Sequence, residues 1–269
     1  MSVGDLFRFA ARGLSGHRVR TGLSLLGVTI GVAAVVILTA VGEGARRYVI
    51  DQFAGLGTNI LIVVPGKTET SGAVGAGGAP NDLTLEDAQA VLRRAPGARR
   101  VAPVSLGTEQ VAYGERRRQV AIIGTTHAYE DVRQLEIALG RFLPEEEMFR
   151  GSAVVVLGQK LARELFRGGQ PLGEVVRVGG FRMRVIGVLG KQGVKMGMDL
   201  DDLAMVPVST GMQMFNRSSL FRILVQARTH ADLESVKTAV RDILIERHDE
   251  EDVTVITQDS VLSSFTAIL

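Results

Sequence analysis

The spacing of hydrophobic positions changes character along the chain. Thr21 to Val41, TGLSLLGVTIGVAAVVILTAV, holds 21 residues without a charge. As a helix it would extend about 31 Å, close to the hydrocarbon thickness of a bilayer. This is the pattern of a transmembrane helix, longer than the h-region of a signal peptide and without the polar positions of a core helix. The residues that follow, starting with Gly42 and Glu43, offer no A-x-A-like cleavage site, so the helix is expected to be retained. Before it, Val3, Leu6, Phe7, Ala10 and Leu14 recur at three- and four-residue intervals with Arg8 and Arg12 off the stripe. That fits an amphipathic helix lying on the membrane surface or packed on a partner.

After the span a helical pattern continues through Tyr48, Ile50 and Phe53 and stops at GLGTN, where glycines are natural terminators. NILIVV reads as a strand ending at Pro65-Gly66, and the Gly/Ala-rich stretch Ser71 to Pro80 as a loop. LTLEDAQAVLRRAPG reads as a helix capped by Thr84 and closed by Pro96-Gly97. VAPVSL and RQVAIIG are strand-like, as are FRILVQA and DVTVITQ further on, with a helix carrying Leu233, Val236, Val240, Ile243 and Leu244 between the last two. Two β-α-β halves result, the split arrangement of a ferredoxin-like sandwich. Between them an insert, roughly Thr125 to Phe215, has its own strand SAVVVLG, helix QKLARELF and hairpin EVVRVGGFRMRVIGVL. The predicted class is α+β.

Composition and charge refine this picture. Hydrophobic residues make up 46% of the 269, high for a soluble protein, and the uncharged span accounts for part of the excess. Of the net charge of +2, residues 1–20 contribute +3, four arginines against Asp5, and the remainder carries −1. A nucleic-acid binder would concentrate cations on its folded domain, so nucleic acid is not an expected partner. A basic arm before the span, facing only Arg46 and Arg47 after it, places the amino terminus in the cytoplasm and the main domain outside. With no cysteine, a disulfide framework and thiolate metal sites are excluded.

The candidate chemistry is thin. Gly66-Lys67-Thr68 has the ending of a phosphate-binding loop, but Leu61 stands where its first glycine is required, Pro65 removes an amide, and no helix pattern follows. No cofactor is expected. His17, His127, His230 and His248 lie far apart, without metal-ligand spacing, and read as solvated surface residues. Asp199, Asp201 and Asp202 lack the glycine and glutamate of a calcium loop and read as a polar turn into LAMVPV. His248 to Asp252, HDEED, reads as a solvated charged turn. No nucleophile elbow is present, so catalytic and metal residues are both expected to be none.

The order of motifs carries more. GHRVRTGLSLLGVTIGVAAVVILTAVGEGARRYVIDQFAGLGTNILIVVPG resembles the opening of MacB-type (FtsX-like) ABC transporter permeases. Gly42, Glu43, Gly44 and Ala45 match a G-E-G-A segment after the first transmembrane helix; Leu56, Gly57, Thr58 and Asn59 match an L-G-T-N turn; Pro65 and Gly66 end the first strand. GRFLPEEE from Gly140 and Arg141, VVVLGQKLARELF, PLGEVVRVGGFRMRVIGVL and MVPVST resemble the family's periplasmic core domain. The resemblance covers essentially the whole chain.

What it implies is a porter-like α/β subdomain with an inserted β-rich (Sabre-like) subdomain, outside the inner membrane. The expected division is a cytoplasmic amphipathic segment over 1–20, a transmembrane helix over 21–41 and a helical stalk over 42–57. The porter-like subdomain would take 58–124 and 216–258, and the insert 125–215. Residues 259–269 would approach a second transmembrane helix; the family carries three further helices, and the sequence stops at VLSSFTAIL. The implied partners are a cytoplasmic ABC ATPase subunit, a second permease copy forming a dimer, the lipid bilayer, and a periplasmic adaptor or outer-membrane component. The implied function is efflux or extracytoplasmic substrate release by mechanotransmission, with ATP hydrolysis supplied by a separate subunit. The alternative is a single-span, membrane-anchored periplasmic binding or scaffold module.

Overall fold

The structure, a computed structural model, describes residues 18–54, 59–66, 82–195 and 198–257. The amino-terminal stripe, Leu56 to Thr58, the Ser71–Pro80 stretch and residues 259–269 lie outside these. In chain order the elements are helix α1 (Arg18–Ala54), β1 (Ile60–Pro65), α2 (Leu85–Arg94), β2 (Ala98–Tyr113), β3 (Arg116–Thr125), α3 (Ala128–Arg133), β4 (Ile137–Gly140) and β5 (Val154–Leu157). They continue with α4 (Gln159–Phe166), β6 (Val175–Val178), β7 (Phe181–Leu189), β8 (Val194–Lys195), β9 (Met198–Asp199), β10 (Leu203–Pro207), α5 (Val208–Met214), β11 (Arg222–Ala227), α6 (Leu233–His248) and β12 (Val253–Thr257). The chain falls into two compact units, divided between Asp51 and Gln52.

In the first unit, α1 holds a stretch, Val19–Gly44, with a mean hydropathy of 2.5, long and apolar enough to cross a membrane. Its leucines, valines and isoleucines point outward on every side, more than half exposed, a surface that only lipid or another apolar partner would cover. Two of its hydroxyls are already spent: Thr29 Oγ1 donates to the Leu25 carbonyl at 2.8 Å and Thr39 Oγ1 to that of Val35 at 2.9 Å. In hydrocarbon, every polar group has to be satisfied inside the segment in this way.

The second unit begins with the four-stranded antiparallel sheet β12-β1-β11-β2. Numbered within the two β-α-β halves, the strand order is 4-1-3-2, as the split β-α-β reading requires. Its two helices cover one face: Leu61, Val63, Val101, Ile223 and Val225 pack against Ala88 and Val91 of α2 and Val236, Val240 and Leu244 of α6. α2 starts where Thr84 Oγ1 accepts the Asp87 amide and the Asp87 carboxylate accepts the Thr84 amide, at 3.3 and 2.8 Å. This reciprocal box satisfies two orphan donors.

The second half of β2 belongs to a different structure. Ser105–Tyr113 pairs with β3, β3 runs parallel to β10, β10 antiparallel to β5, β5 parallel to β7, β7 antiparallel to β6, and β6 returns to β2 at Val111 and Ala112. Six strands thus close a barrel, with no free edge in the ring. Val111, Ile122, Val155, Leu157, Val178, Met183, Val185 and Val206 fill it together with Leu161 and Leu165 of α4. Residues of the other parity, Ile123, Val156, Leu203 and Met205, pack with Tyr129 and Val132 of α3 and with Ile60, Ile62 and Leu224 from the free face of the first sheet. Strand β2 therefore serves both sheets. The short helices α3 and α5, the strand β4 and the β8–β9 hairpin are additions to the elements expected from periodicity; six- and seven-residue helices give too few turns for a 3.6-residue pattern to register.

Candidate functional site

Of the family-motif positions, Leu56, Gly57 and Thr58 lie outside the described residues. Gly42, Glu43, Gly44 and Ala45 lie within α1, which passes through them without a break, and a methyl group at Gly42 or Gly44 would meet nothing within 4 Å. The Asn59 carbonyl accepts the Ala227 amide at 2.8 Å and so opens the β1–β11 pairing. Gly66, at φ +102°, donates its amide to the Asp252 carbonyl at 2.7 Å, and its own carbonyl accepts Thr254 Oγ1 at 2.6 Å. Successive strand amides point to opposite sides, so the nitrogen of Pro65 faces β11, whose register ends at Val63; the missing donor costs no ladder bond there. The Gly66 amide is thus used within the sheet; Lys67 and Thr68 lie outside the described residues.

Gly140 and Arg141 meet Gly187 backbone to backbone. Gly140 has φ +76°, and a methyl on it would collide with the Ile186 carbonyl oxygen and reach 2.7 Å from Leu172 Cδ2. A methyl on Gly187 would strike the Arg141 carbonyl. The Arg141 amide donates to that same Ile186 carbonyl at 3.0 Å. Two glycines are required here because two main chains cross with no room for a side chain.

The histidines divide. His127 is half-buried, 3.7 Å from Glu145, and His230 is exposed in a 3-10 turn. His17 lies outside the described residues. His248 corrects the sequence reading: its side chain is only 6% exposed and stands between two buried carboxylates, Nδ1 2.7 Å from Asp252 Oδ1 and Nε2 3.2 Å from Asp87 Oδ2. Arg247 Nε donates to the other oxygen of Asp87 at 2.6 Å. HDEED is therefore a solvated turn only in part, since its first and last residues are interior. Burial pushes the His248 imidazole towards neutrality, yet its bonds to Asp252 and Asp87 prevail and hold its pKa above the usual value. Burial likewise pushes Asp87 up, and the bonds from Arg247, Thr84 and His248 bring it below the usual carboxylate range. The network ties the start of α2 to the end of α6.

The acidic turn before β10 is also structural. Asp201 accepts the amides of Gln192 and Gly193 at 2.7 and 3.2 Å. Asp202 pairs with Arg118 and, at 3.0 Å, with Lys160; the Arg118 bond above all holds its pKa low. Among the described residues no three His, Asp or Glu side chains are grouped to hold a metal ion. A cleft of about 160 Å³ opens between Val64 and Pro65 on one side and Ser105, Leu106, Arg217 and Phe221 on the other. It is too small for a drug-sized ligand. The arrangement joins the two sheets through one 16-residue strand, β2, built into both.

Residues 21–243 match the family model described as MacB-like periplasmic core domain. A macrolide export ATP-binding/permease protein MacB of Bdellovibrio bacteriovorus is 35% identical over 236 residues, 87% of this chain and 36% of that protein. The chain thus spans little more than a third of that relative. Among solved structures, the periplasmic region of MacB from Actinobacillus actinomycetemcomitans superposes with a TM-score of 0.66 at 21% identity, over 80% of this chain and 95% of that one. The extracellular domain of the noncanonic ABC-type transporter YknZ from Gram-positive bacteria gives 0.60 at 23% identity, over 74% and 100%. A membrane-length apolar helix, a split β-α-β sheet carrying an inserted barrel, and this similarity along the chain place it in the MacB-like ABC transporter permease family.

Proposed function

We propose that this chain supplies the first membrane helix and the extracytoplasmic domain of an ABC permease that works by mechanotransmission. A separate cytoplasmic ATPase hydrolyses ATP, and two permease copies pair in the inner membrane with their amino termini in the cytoplasm. The chain performs no chemistry of its own. The observation that carries this reading is the single unbroken helix α1, 37 residues long and about 55 Å from end to end. Roughly 30 Å of that suffices to cross the hydrocarbon. The remaining turns continue the helix to Ala54, with β1 beginning at Ile60, and a push on the span would travel along them. Efflux or release of a substrate already outside the membrane would follow from such motion, and an adaptor or outer-membrane component would receive the substrate.

The test is affinity purification of the full-length permease from its native membrane. An ABC ATPase is expected to copurify, and a Gly-Ser-Gly-Ser insertion after Ala54 should leave that ATPase bound while abolishing the transport phenotype. If no ATPase accompanies the permease, the reading fails, and the single-span anchored binding or scaffold module takes its place.

A further inference from the structure

The barrel has an outer wall whose arginines no described residue neutralises. Along β2, β3, β6 and β7 the residues of inward parity fill the interior, so those between them face out. In the row that crosses the wall, Arg117 pairs with Ala112, Ala112 with Arg177, and Arg177 with Arg182. Arg184 lies two residues along β7 from Arg182, on the same face. All four arginines are exposed. Arg184 donates to the Gly173 carbonyl at 2.9 Å, and none of the four forms an ion pair with a described residue. Glu109 and Glu174, the nearest acids in register, share parity with the interior Val111 and Val176, and Glu174 already accepts the Tyr113 hydroxyl at 2.9 Å. Arg177 and Arg182 are directly opposed on adjacent strands, a like-charge juxtaposition that works against the sheet.

We propose that this wall, Arg117, Arg177, Arg182 and Arg184, is a docking surface for an acidic protein surface. Charge complementarity sets the sign of the partner. Its class follows from the surroundings. The cations are all arginine, whose planar fork pairs bidentately with carboxylates and which is enriched at protein interfaces where lysine is depleted. Between them lie uncharged hydrogen-bonding side chains, Gln110 and Gln119, and the half-exposed Val175. No aromatic residue faces outward in this row to stack on a base. The chain as a whole carries only +2, so it has no broad positive field with which to hold a lipid surface at a distance. A carboxylate seated between Arg177 and Arg182 would relieve their repulsion on binding. The inference adds a partner class to the exterior domain of the proposed permease; its test in solution does not depend on transport or on the ATPase.

The experiment uses the full chain in detergent micelles with fluorescein-labelled octaglutamate as the probe, in low salt, read by anisotropy. Arg177→Glu/Arg182→Glu should weaken binding at least ~10-fold, whereas Arg93→Glu/Arg228→Glu, exposed elsewhere, should change it less than ~2-fold. In cells, a photoreactive residue replacing Gln119 in the full-length protein should crosslink to an acidic peptide of another protein, and charge reversal at Arg177 and Arg182 should abolish the product. Arg182→Gln should leave the melting temperature unchanged or raise it by up to ~2 °C, because a repulsion is removed. Four outcomes would overturn the proposal: crosslinking to a second copy of this chain or to phospholipid; binding of phosphatidylglycerol vesicles but not of octaglutamate; charge reversal without effect; or a marked fall in the melting temperature of Arg182→Gln, which would make the arginines structural.

Discussion

Asp87→Ala offers a direct view of what fastens the α/β half of the second unit. The Asp87 side chain is 1% exposed and accepts four hydrogen bonds: Arg247 Nε at 2.6 Å, Thr84 N and Oγ1 each at 2.8 Å, and His248 Nε2 at 3.2 Å. Truncation removes the α2 capping box, about 1 kcal/mol, and leaves His248 and Arg247 near a buried site without the counter-charge. Removing one partner of a buried ion pair costs about 3–5 kcal/mol. Arg247 is one-third exposed and can turn to water, so the total should stand near the low end, about 3–4 kcal/mol. For a domain of this size that is a fall in melting temperature of roughly 6–16 °C. Thermal unfolding by circular dichroism measures it, and hydrogen exchange should show protection lost first at the start of α2 and the end of α6. A loss below about 1 kcal/mol, the value of an exposed ion pair, would refute the claim that this network is interior and fastens the helices.

The same network sets a pH window. His248, with its pKa raised when folded, contributes its full stability below about 6.5 and loses it as pH rises through the folded value, while Asp87, lowered, contributes above about 3.9 and loses it as pH falls through its own. Melting temperature should therefore be highest between these limits and decline on the alkaline side, and His248→Gln should flatten that decline. Gly187→Ala should cost about 2–4 kcal/mol by denaturant titration, because its methyl meets a main-chain oxygen that cannot swing away; Gly114→Ala, at φ +59° in open space, should cost about 1–2. Arg118→Met should cost only about 1 kcal/mol, since Arg118 is one-third exposed and its partner Asp202 keeps Lys160.

Local signals were legible in the sequence and long-range ones were not. The span, the Thr84 cap, the alternation in the β6–β7 hairpin and the apolar stripe of α6 are each written within a few turns or strand residues, and each is found in the structure. Closure of the barrel is not written locally: it needs Val178 to pair with Val111, and nothing in either segment names the other. His248 looked solvated because its neighbours in sequence are Asp249, Glu250 and Glu251; the partner that buries it, Asp87, is 161 residues away. Arg177, Arg182 and Arg184 lie in the segment that reads as a hairpin, whereas Arg117, from a different one, joins them only through the strand register. That no described acid pairs with them emerges only from the strand register.

The central claim is that ATP-driven motion reaches the exterior domain through α1. A spin label at Ser218→Cys, an exposed position in the second unit, reports on it in the full-length permease assembled with its ATPase, once any other cysteine of either subunit has been replaced. Distances between the labels of two copies, compared without nucleotide and with ATP plus vanadate, should shift by several ångströms, and the shift should vanish when a flexible insert follows Ala54. Identical distance distributions in the two states, with the ATPase bound and hydrolysing, would contradict the account.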